Sequence, residues 1–329
     1  MTHARGAPLP ISVVIPCWNA APFLAEAIAS VHAQTRGVAE VIVVDDASTD
    51  GSAELAASLG ATVVRHPVNR GNGAARNTGI RAARSELVAL LDADDVWLPA
   101  HCATVAPLLE RYPDAAVAFT GVGFFGTGVG PSTPPFRPGV DPGAPQHVFD
   151  RCLRRFVGTT ACILRREAAL AIGGFDESMP TGVDYDLWLR LSTRAPFVAT
   201  WDVTVLYRQH AAQISHDKLS QSIWCFRSRD RAWRALAAAG DAAATAAAAA
   251  IIRDAWSEAL RGAWNRRRRD EMIAILALAP LVPDSDGIRR HWARRSAIPP
   301  WLLDSWDRTG SRIRSPLMRT LRWLRLRLP

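Results

Sequence analysis

Val41-Ile42-Val43-Val44-Asp45-Asp46 is a run of four aliphatic residues that ends in two adjacent carboxylates. A short, continuous apolar run is typical of a strand that is covered on both faces. Similar runs occur at residues 11–15, 61–65 and 87–91, and segments with apolar residues at helical spacing separate them. This alternation predicts an α/β fold in which helices flank a mostly parallel sheet.

Acidic residues follow two of these apolar runs. Asp45 and Asp46 follow the second run, and Asp92, Asp94 and Asp95 follow the fourth. Because ligands bind at the carboxyl ends of the strands in such sheets, we expect both acidic groups to face one crevice. Three carboxylates within four residues repel one another, and a bound Mg²⁺ or Mn²⁺ would relieve that repulsion. The alternative is a set of solvated acids that cap a following helix.

The positive charge of the chain is concentrated at its C-terminal end. The 329 residues include 39 Lys and Arg and 31 Asp and Glu, which gives a net charge of +8. Residues 289–329 carry eleven arginines against Asp304 and Asp307, so this segment alone has a net charge of +9. A hydrophobic content of 49% excludes a globally disordered chain. The basic segment and the body of the chain therefore need separate explanations.

The cysteines and the hydropathy pattern bear on the compartment. The five cysteines are odd in number and show no CxxC spacing, which argues against a disulfide framework and a zinc site. The N-terminal apolar run is too short for a signal-peptide core, and no stretch of 18 apolar residues exists. We expect a cytoplasmic protein that is soluble or peripheral on the cytoplasmic face of the membrane.

Five segments form an ordered series of motifs between about residues 10 and 210. They are Pro16-Cys17-Trp18-Asn19, residues 41–52, residues 69–80, Leu91-Asp92-Ala93-Asp94-Asp95 and residues 182–190, which read GVDYDLWLR. In this order and at this spacing they resemble the motifs of family 2 glycosyltransferases of the GT-A fold. The resemblance implies an inverting transferase that moves a sugar from a nucleotide-sugar donor to a hydroxyl of a glycan or lipid-linked acceptor.

The resemblance also implies roles for the donor-binding residues. Asp46 would accept a hydrogen bond from the nucleobase, and Pro16 and Asn19 would shape the same pocket. Asp92 would belong to the acid group that holds the cation and the donor, with Asp94 and Asp95 favoured over it as direct metal ligands. Asp94 would hold the divalent cation, Mn²⁺ or Mg²⁺, that bridges the diphosphate.

Asp95 would be a second ligand of that cation, and Asp184 would be the general base. A base is needed because the attacking hydroxyl loses its proton as it bonds. The alternative for Asp184 is a helix cap, and Asp186 is the second candidate for the base. The family usually has Glu where Val183 stands. This departure motivates an alternative function, a non-catalytic GT-A-like protein that binds nucleotide-sugar or glycan.

Three basic residues are further candidates for the site. Arg70 and Arg76 could pair with the diphosphate through bidentate hydrogen bonds. The alternative for both is an ion pair with a nearby acid. His210 could be a metal or phosphate ligand, since neutral imidazole suits Mn²⁺, but a histidine after a strand can also be structural.

The pattern along the chain predicts two domains. Residues 1–215 would form the catalytic domain, with a nucleotide-sugar half at about 1–98 and an acceptor half at about 99–215. Residues 216–329 would form a helical C-terminal region. The Gly- and Pro-rich stretch 121–143 is predicted to be a long loop, which could act as a lid.

Residues 312–329 have the pattern of a basic amphipathic helix. Leucines recur every three or four residues, and arginines fill most of the positions between them. Such a helix suits an anionic membrane surface, and the alternative is that its leucines dock on the protein itself. No nucleic-acid-binding motif accompanies the arginines, so we do not expect a nucleic acid partner.

Overall fold

The computed structural model describes residues 9–130, 133–137, 140–154, 158–211, 213, 218–265, 272, 275–276 and 278–295. The chain divides into two compact units, residues 1–216 and 217–329. The basic amphipathic segment at 312–329 lies outside the described residues.

The first half of unit 1 alternates strands and helices as the apolar pattern predicts. Its elements are β1 (Leu9–Cys17), α1 (Ala21–His32), β2 (Val38–Asp45), α2 (Ser52–Ser58), β3 (Thr62–Arg65), α3 (Asn72–Ala82) and β4 (Leu87–Leu90). These four strands pair in parallel in the order β3-β2-β1-β4. The strands end at one edge, so the residues that follow them meet there.

The second half of unit 1 extends the sheet to eight strands, in the order β3-β2-β1-β4-β7-β6-β8-β5. Its elements are β5 (Val96–Trp97), α4 (His101–Arg111), β6 (Val117–Gly126), α5 (Phe149–Arg154), β7 (Cys162–Arg165), α6 (Arg166–Ala171), α7 (Val183–Ser192) and β8 (Phe197–Gln209). Strand β7 is antiparallel to β4 and to β6, whereas β6 and β8 are parallel. The expected α/β fold, a mostly parallel sheet flanked by helices, is confirmed.

The predicted loop at 121–143 is partly wrong, because its first six residues continue β6. Glycine usually marks a loop, but here two glycines let β6 approach β8 closely. A Cβ on Gly121 would lie 2.8 Å from the carbonyl oxygen of Trp201, and one on Gly126 would lie 2.6 Å from that of Gln209. The glycines are therefore steric requirements of strand pairing.

Helix α3 packs against β1 at a glycine. A Cβ on Gly79 would lie 2.2 Å from Cγ1 of Val14, a distance that no real side chain tolerates. The other end of α3 begins at the carboxyl edge of the sheet, where the amide of Gly71 donates a 2.8 Å hydrogen bond to Asp46. The apolar core beneath that edge is formed by fully buried aliphatic residues of β1, β2 and β4, including Ile15, Val43 and Ala89.

Unit 2 is helical. It contains α8 (Lys218–Ala238), α9 (Ala242–Asn265), a short 3-10 turn (Ala279–Leu281) and α10 (Asp286–Arg295). Its core surrounds the fully buried Trp256, whose indole nitrogen donates a 2.7 Å hydrogen bond to the carbonyl oxygen of Ile275. Among the helices that the structure describes, none has the length and apolar character needed to span a bilayer.

Candidate active site

Residues 92–95, which we call the acid loop, follow β4 at the carboxyl edge. Asp95 is completely buried. Its Oδ1 accepts a 3.0 Å hydrogen bond from the amide of Arg208, while its buried Oδ2 has no partner within the described part of the chain. Burial, with the negative charges of Asp94 and Asp92, raises the pKa of Asp95 well above its usual range.

Asp94 is partly exposed and pairs with the histidine that the sequence singled out. Nε2 of His210 lies 3.0 Å from Oδ2 of Asp94. The His210 ring also packs against Phe23 of α1, with 4.6 Å between the ring centroids. Burial and the charge of Asp92 raise the pKa of Asp94, and His210 opposes that rise. The structure thus brings two predicted metal ligands together.

Arg208, at the end of β8, fastens the acid loop in place. Its Nε donates a 2.8 Å hydrogen bond to the carbonyl oxygen of Asp94, and its guanidinium forms an ion pair with Glu26 of α1. The same guanidinium lies over the ring of Phe125, 4.3 Å from the centroid. The sequence placed Arg208 beside His210 in a Tyr-Arg-x-His stretch but gave it no role, because its partners come from three different elements.

Arg76 pairs with the acid loop, and its charge also acts on the candidate base. The side chain is buried, and its Nη2 donates a 2.6 Å hydrogen bond to Oδ1 of Asp92. Burial raises the pKa of Asp184, and the positive charge of Arg76 opposes this effect. The ion pair with an acid, one of the two alternatives for Arg76, is thus present, and pairing with a diphosphate stays a prediction.

Asp184 lies at the start of α7, after Gly182, which adopts a left-handed conformation (φ 70°). The residue as a whole is partly exposed, whereas burial of its carboxyl group raises the pKa. Its Oδ1 accepts a 2.9 Å hydrogen bond from the amide of Tyr185, and its Oδ2 accepts a 2.8 Å bond from the hydroxyl of Thr159. The other candidate base, Asp186, is buried and forms an ion pair with Arg190 at 2.7 Å. Asp186 is thus already paired within its own helix, and the role of Asp184 as the base stays a prediction.

Asp46 follows β2, and β1 separates β2 from β4 in the sheet. With about 4.8 Å between neighbouring strands, the acid loop lies about 10 Å away along the same edge. Oδ1 of Asp46 accepts hydrogen bonds from Nδ1 of His66 at 2.6 Å and from the amide of Arg70 at 2.9 Å. Oδ2 accepts one from the amide of Gly71 at 2.8 Å, which leaves capacity for one further donor.

His66 was not predicted, yet it is central to this pocket. It is buried, and its Nε2 lies 2.9 Å from the hydroxyl of Thr78 in α3. His66 therefore holds Asp46 against α3. An isolated histidine after a strand carries no sequence pattern that would reveal these two partners.

The end of β1 and the residues after it lie beside Asp46, whose amide donates a 2.8 Å hydrogen bond to the carbonyl oxygen of Cys17. Asn19 adopts a left-handed conformation (φ 50°), and its Oδ1 accepts a 2.9 Å hydrogen bond from the amide of Thr49. Pro16 pairs with Val44 of β2 and is partly buried. Trp18, between them, is 56% exposed, which is unusual for an indole and leaves it able to stack on a ligand.

Arg70 and Val183, which the sequence singled out, both lie against other residues of unit 1. Arg70 forms an ion pair with Glu177, with 2.8 Å between Nη2 and Oε2. Val183 is buried, and its Cγ1 lies where it would contact a Cβ on Gly73 of α3. The position where the family usually has Glu is therefore an apolar packing position in this chain.

The donor set fits a divalent cation in its chemistry. Within the described ranges, no three side chains of His, Cys, Asp or Glu already surround a common point as metal ligands do. The acid loop nevertheless has a buried Asp95 oxygen with no hydrogen-bond partner among the described residues, and burial together with mutual repulsion raises the pKa of Asp94 and Asp95. A hard cation with oxygen ligands would satisfy both.

Comparisons with known proteins agree with this architecture. The fold is similar to that of the crystal structure of S. aureus TarS 1-349 in complex with UDP-GlcNAc, with a TM-score of 0.64 and 18% identity over 92% of this chain and 93% of that chain. The fold defines the class, a GT-A-type α/β protein.

Two models of protein families match the sequence of this chain. The family described as "Glycosyl transferase family 2" matches residues 12–172, and "Glycosyltransferase like family 2" matches residues 150–243. The chain belongs to the family 2 glycosyltransferases.

Two curated relatives each match more than a quarter of the chain. The uncharacterized glycosyltransferase alr2836 of Nostoc is 47% identical over 94 residues, which cover 27% of this chain and 29% of that protein. The succinoglycan biosynthesis protein ExoU of Rhizobium meliloti is 43% identical over 98 residues, which cover 28% of each. The chain therefore spans less than a third of the length of these two relatives.

Proposed function

We propose that this chain is an inverting, metal-dependent glycosyltransferase, which moves a sugar from a nucleotide-sugar to a hydroxyl of a glycan or lipid-linked acceptor. The observation that carries the proposal is that one buried arginine acts on both the candidate base and the acid loop. Arg76 forms an ion pair with Asp92, and its positive charge opposes the rise that burial causes in the pKa of Asp184.

The donor would bind along the carboxyl edge. Asp46 retains capacity for one hydrogen bond, which a nucleobase N–H can fill, and the exposed Trp18 offers a flat surface for the base. Pro16 and Asn19 shape the pocket between them. The UDP-GlcNAc complex of TarS supports a nucleotide-sugar as the ligand class.

Asp94 and Asp95 would hold the cation, with His210 as a further ligand and Asp92 kept in place by Arg76. A bound divalent cation supplies positive charge that stabilises the departing diphosphate as a Lewis acid. Arg208 keeps the two aspartates in the acid loop in position through its bonds to their backbone and side chain.

A single carboxylate base, Asp184, supports a reaction in one displacement step. The acceptor oxygen bonds to the anomeric carbon as the bond to the diphosphate oxygen breaks, and Asp184 takes the hydroxyl proton. Because one displacement occurs at the face opposite to the leaving group, the anomeric configuration inverts. Thr159 and the amide of Tyr185 hold the carboxylate while it accepts the proton.

The test is a transfer assay with purified variants. UDP-glucose, UDP-galactose, UDP-GlcNAc and GDP-mannose are each supplied with Mn²⁺, and the released nucleoside diphosphate is measured. We expect Asp94→Ala and Asp184→Asn to lose turnover, with nucleotide binding retained in Asp184→Asn. Asp114→Asn, at an exposed turn, is the control and should match the wild type. Full turnover by Asp184→Asn would contradict the proposal.

The alternative is a GT-A-like protein that binds a nucleotide-sugar or glycan without catalysis. The apolar packing of Val183, where the family usually has Glu, is the observation that favours it. Such a protein would gain thermal stability with a nucleotide-sugar and Mn²⁺ but release no diphosphate with any donor. The transfer assay therefore separates the two functions.

The acceptor and the compartment are part of the same proposal. The name of ExoU connects that relative with polysaccharide biosynthesis, which supports a glycan or lipid-linked acceptor here. The five cysteines are free thiols, as expected in a reducing compartment such as the cytoplasm. Binding of the basic segment 312–329 to an anionic membrane would bring the site close to a lipid-linked acceptor.

A further inference from the structure

A 3-10 turn, Thr159–Ala161, lies between the candidate base and the acid loop. The side chains of Thr159 and Thr160 are both buried. A buried hydroxyl without a partner costs free energy, so its bonding partners indicate why it is there. Neither threonine belongs to a motif that the sequence analysis recognised.

The two threonines face opposite sides of the site. The hydroxyl of Thr159 donates to Oδ2 of Asp184 at 2.8 Å. The hydroxyl of Thr160 accepts a 3.5 Å hydrogen bond from the amide of Asp92, the first residue of the acid loop. Two consecutive residues therefore contact the base on one side and the acid loop on the other.

The turn itself is fixed in place. The carbonyl oxygen of Thr160 accepts a 2.9 Å hydrogen bond from the indole nitrogen of Trp97, which is buried. The turn continues directly into β7, where Cys162 pairs with Leu90 at the end of β4. The backbone of the turn is thus anchored on both sides, by Trp97 and by the pairing of β7 with β4.

We propose that Thr159 and Thr160 are positioning residues, which hold the base Asp184 and the acid loop at a fixed separation. The inference rests on the proposed function, because it takes Asp184 as the base. Thr159 orients the carboxylate and keeps it ionised. Thr160 fixes the backbone of Asp92, from which the loop that carries Asp94 and Asp95 begins.

The charged and titratable groups around Asp184 define what Thr159 adds. Arg76 of α3 and Asp92 of the acid loop face the carboxylate, and the thiol of Cys162 in β7 interacts with it as well. Arg76 and the Thr159 hydroxyl favour the ionised form, whereas burial and Asp92 disfavour it. Removing the hydroxyl alone leaves the other groups in place, so the pKa of Asp184 should rise.

The first experiment compares Thr159→Val, which keeps the shape without the hydroxyl, with Thr159→Ser, which keeps the hydroxyl. The pKa of Asp184 is measured in the full chain by carbon-13 NMR of labelled aspartate, and the Asp184→Asn spectrum assigns the signal. We expect a rise of about one pH unit in Thr159→Val, the size of a hydrogen bond to a charged group. Thr159→Ser should restore the wild-type value.

Turnover supplies the second readout for Thr159. With the donor that the wild type uses best, kcat in Thr159→Val should fall about tenfold while KM for the donor stays constant. An unchanged pKa in Thr159→Val, or a loss shared equally by the valine and serine variants, would overturn the role of Thr159. The NMR measurement needs no turnover, so it tests the role of Thr159 even if the wild type transfers no sugar. Absence of sugar transfer by the wild type would refute the proposed function and not the role of Thr159.

Thr160→Val and Thr160→Ser test the other half of the frame. The probe is Mn²⁺ alone, and the free ion is measured by electron paramagnetic resonance. We expect about tenfold weaker Mn²⁺ binding in Thr160→Val, near wild-type binding in Thr160→Ser, and no change in Thr159→Val. Equal affinity in wild type and Thr160→Val, including no binding by either, would overturn the role of Thr160.

Discussion

Nε2 of His210 lies 3.0 Å from Oδ2 of Asp94, although 116 residues separate them along the chain. The contact forms because β8 ends beside the acid loop, where Arg208 bonds to the backbone of Asp94 and to the side chain of Asp95. The end of β8 is thus part of the candidate metal site, and its residues should influence cation binding directly.

We predict that His210→Ala weakens Mn²⁺ binding by about tenfold or more, the usual cost of losing a ligand or its immediate support. The reason is that the alanine removes the imidazole that contacts Asp94 in the described structure. Titration with Mn²⁺ followed by electron paramagnetic resonance measures the change. His147→Ala, at an exposed position, is the control. Equal Mn²⁺ affinity in both variants would assign His210 a structural role.

The second prediction concerns the pH dependence of turnover. Burial raises the pKa of Asp184 above the ordinary aspartate value of 3.8. A base works only when it is ionised, so activity should rise with pH through this elevated pKa and fall as pH drops below it. A profile of kcat against pH, with the best donor, measures the midpoint. A midpoint at or below 3.8 would show that Asp184 does not limit the rate on the acid side.

The third prediction tests the packing of α3 on β1. Gly79→Ala should lower the free energy of unfolding by about 1–3 kcal/mol, because the new Cβ would lie 2.2 Å from Cγ1 of Val14. The control is Gly287→Ala in α10, where nothing lies within 4 Å and alanine should stabilise the helix by up to about 1 kcal/mol. Urea unfolding measures both values.

Relief of the clash provides a stricter check of the same contact. The double variant Gly79→Ala with Val14→Ala should lose less stability than the sum of the two single variants, since the smaller side chain makes room for the new methyl group. Additive losses would mean that α3 does not press on Val14.

The segment 69–79 shows how far the sequence could lead. The motif placed this segment at the site, but from it only Arg70 and Arg76 received roles. The structure gives its other residues separate tasks. Oδ1 of Asn77 accepts a 2.8 Å hydrogen bond from the amide of Phe175, which lies 98 residues away. Thr78 contacts His66, and the absence of a side chain on Gly79 leaves the space that Val14 occupies.

The order of the elements was predictable, because each strand and helix of the first half has its own local apolar period. The partners of Asn77 and Thr159 were not, since a polar side chain does not reveal which distant residue it will meet. The glycines of β6 were misleading for a related reason. Their close neighbours are backbone atoms of β8, and no pattern in the local sequence predicts that contact.

The last prediction concerns a buried histidine outside the proposed machinery. His101 begins α4, and its Nδ1 lies 2.9 Å from the hydroxyl of Thr204. Its ring stacks on Trp97 with 4.2 Å between the centroids, and its Nε2 is buried with no partner in the described part of the chain. Burial lowers the pKa of His101 to about 3, so it stays neutral in the folded protein.

The unfolded chain binds a proton at this histidine near pH 6.5, whereas the folded protein does not until about pH 3. Stability therefore falls as pH drops below 6.5, by about 2 kcal/mol between pH 7 and pH 5 from this residue alone. In His101→Asn the amide can keep the bond to Thr204 and cannot titrate. Urea unfolding of both proteins at the two pH values should show a pH-dependent loss that is about 2 kcal/mol smaller in the variant. The other titrating groups are common to both proteins and cancel in the comparison, so equal losses would mean that His101 becomes protonated within the fold.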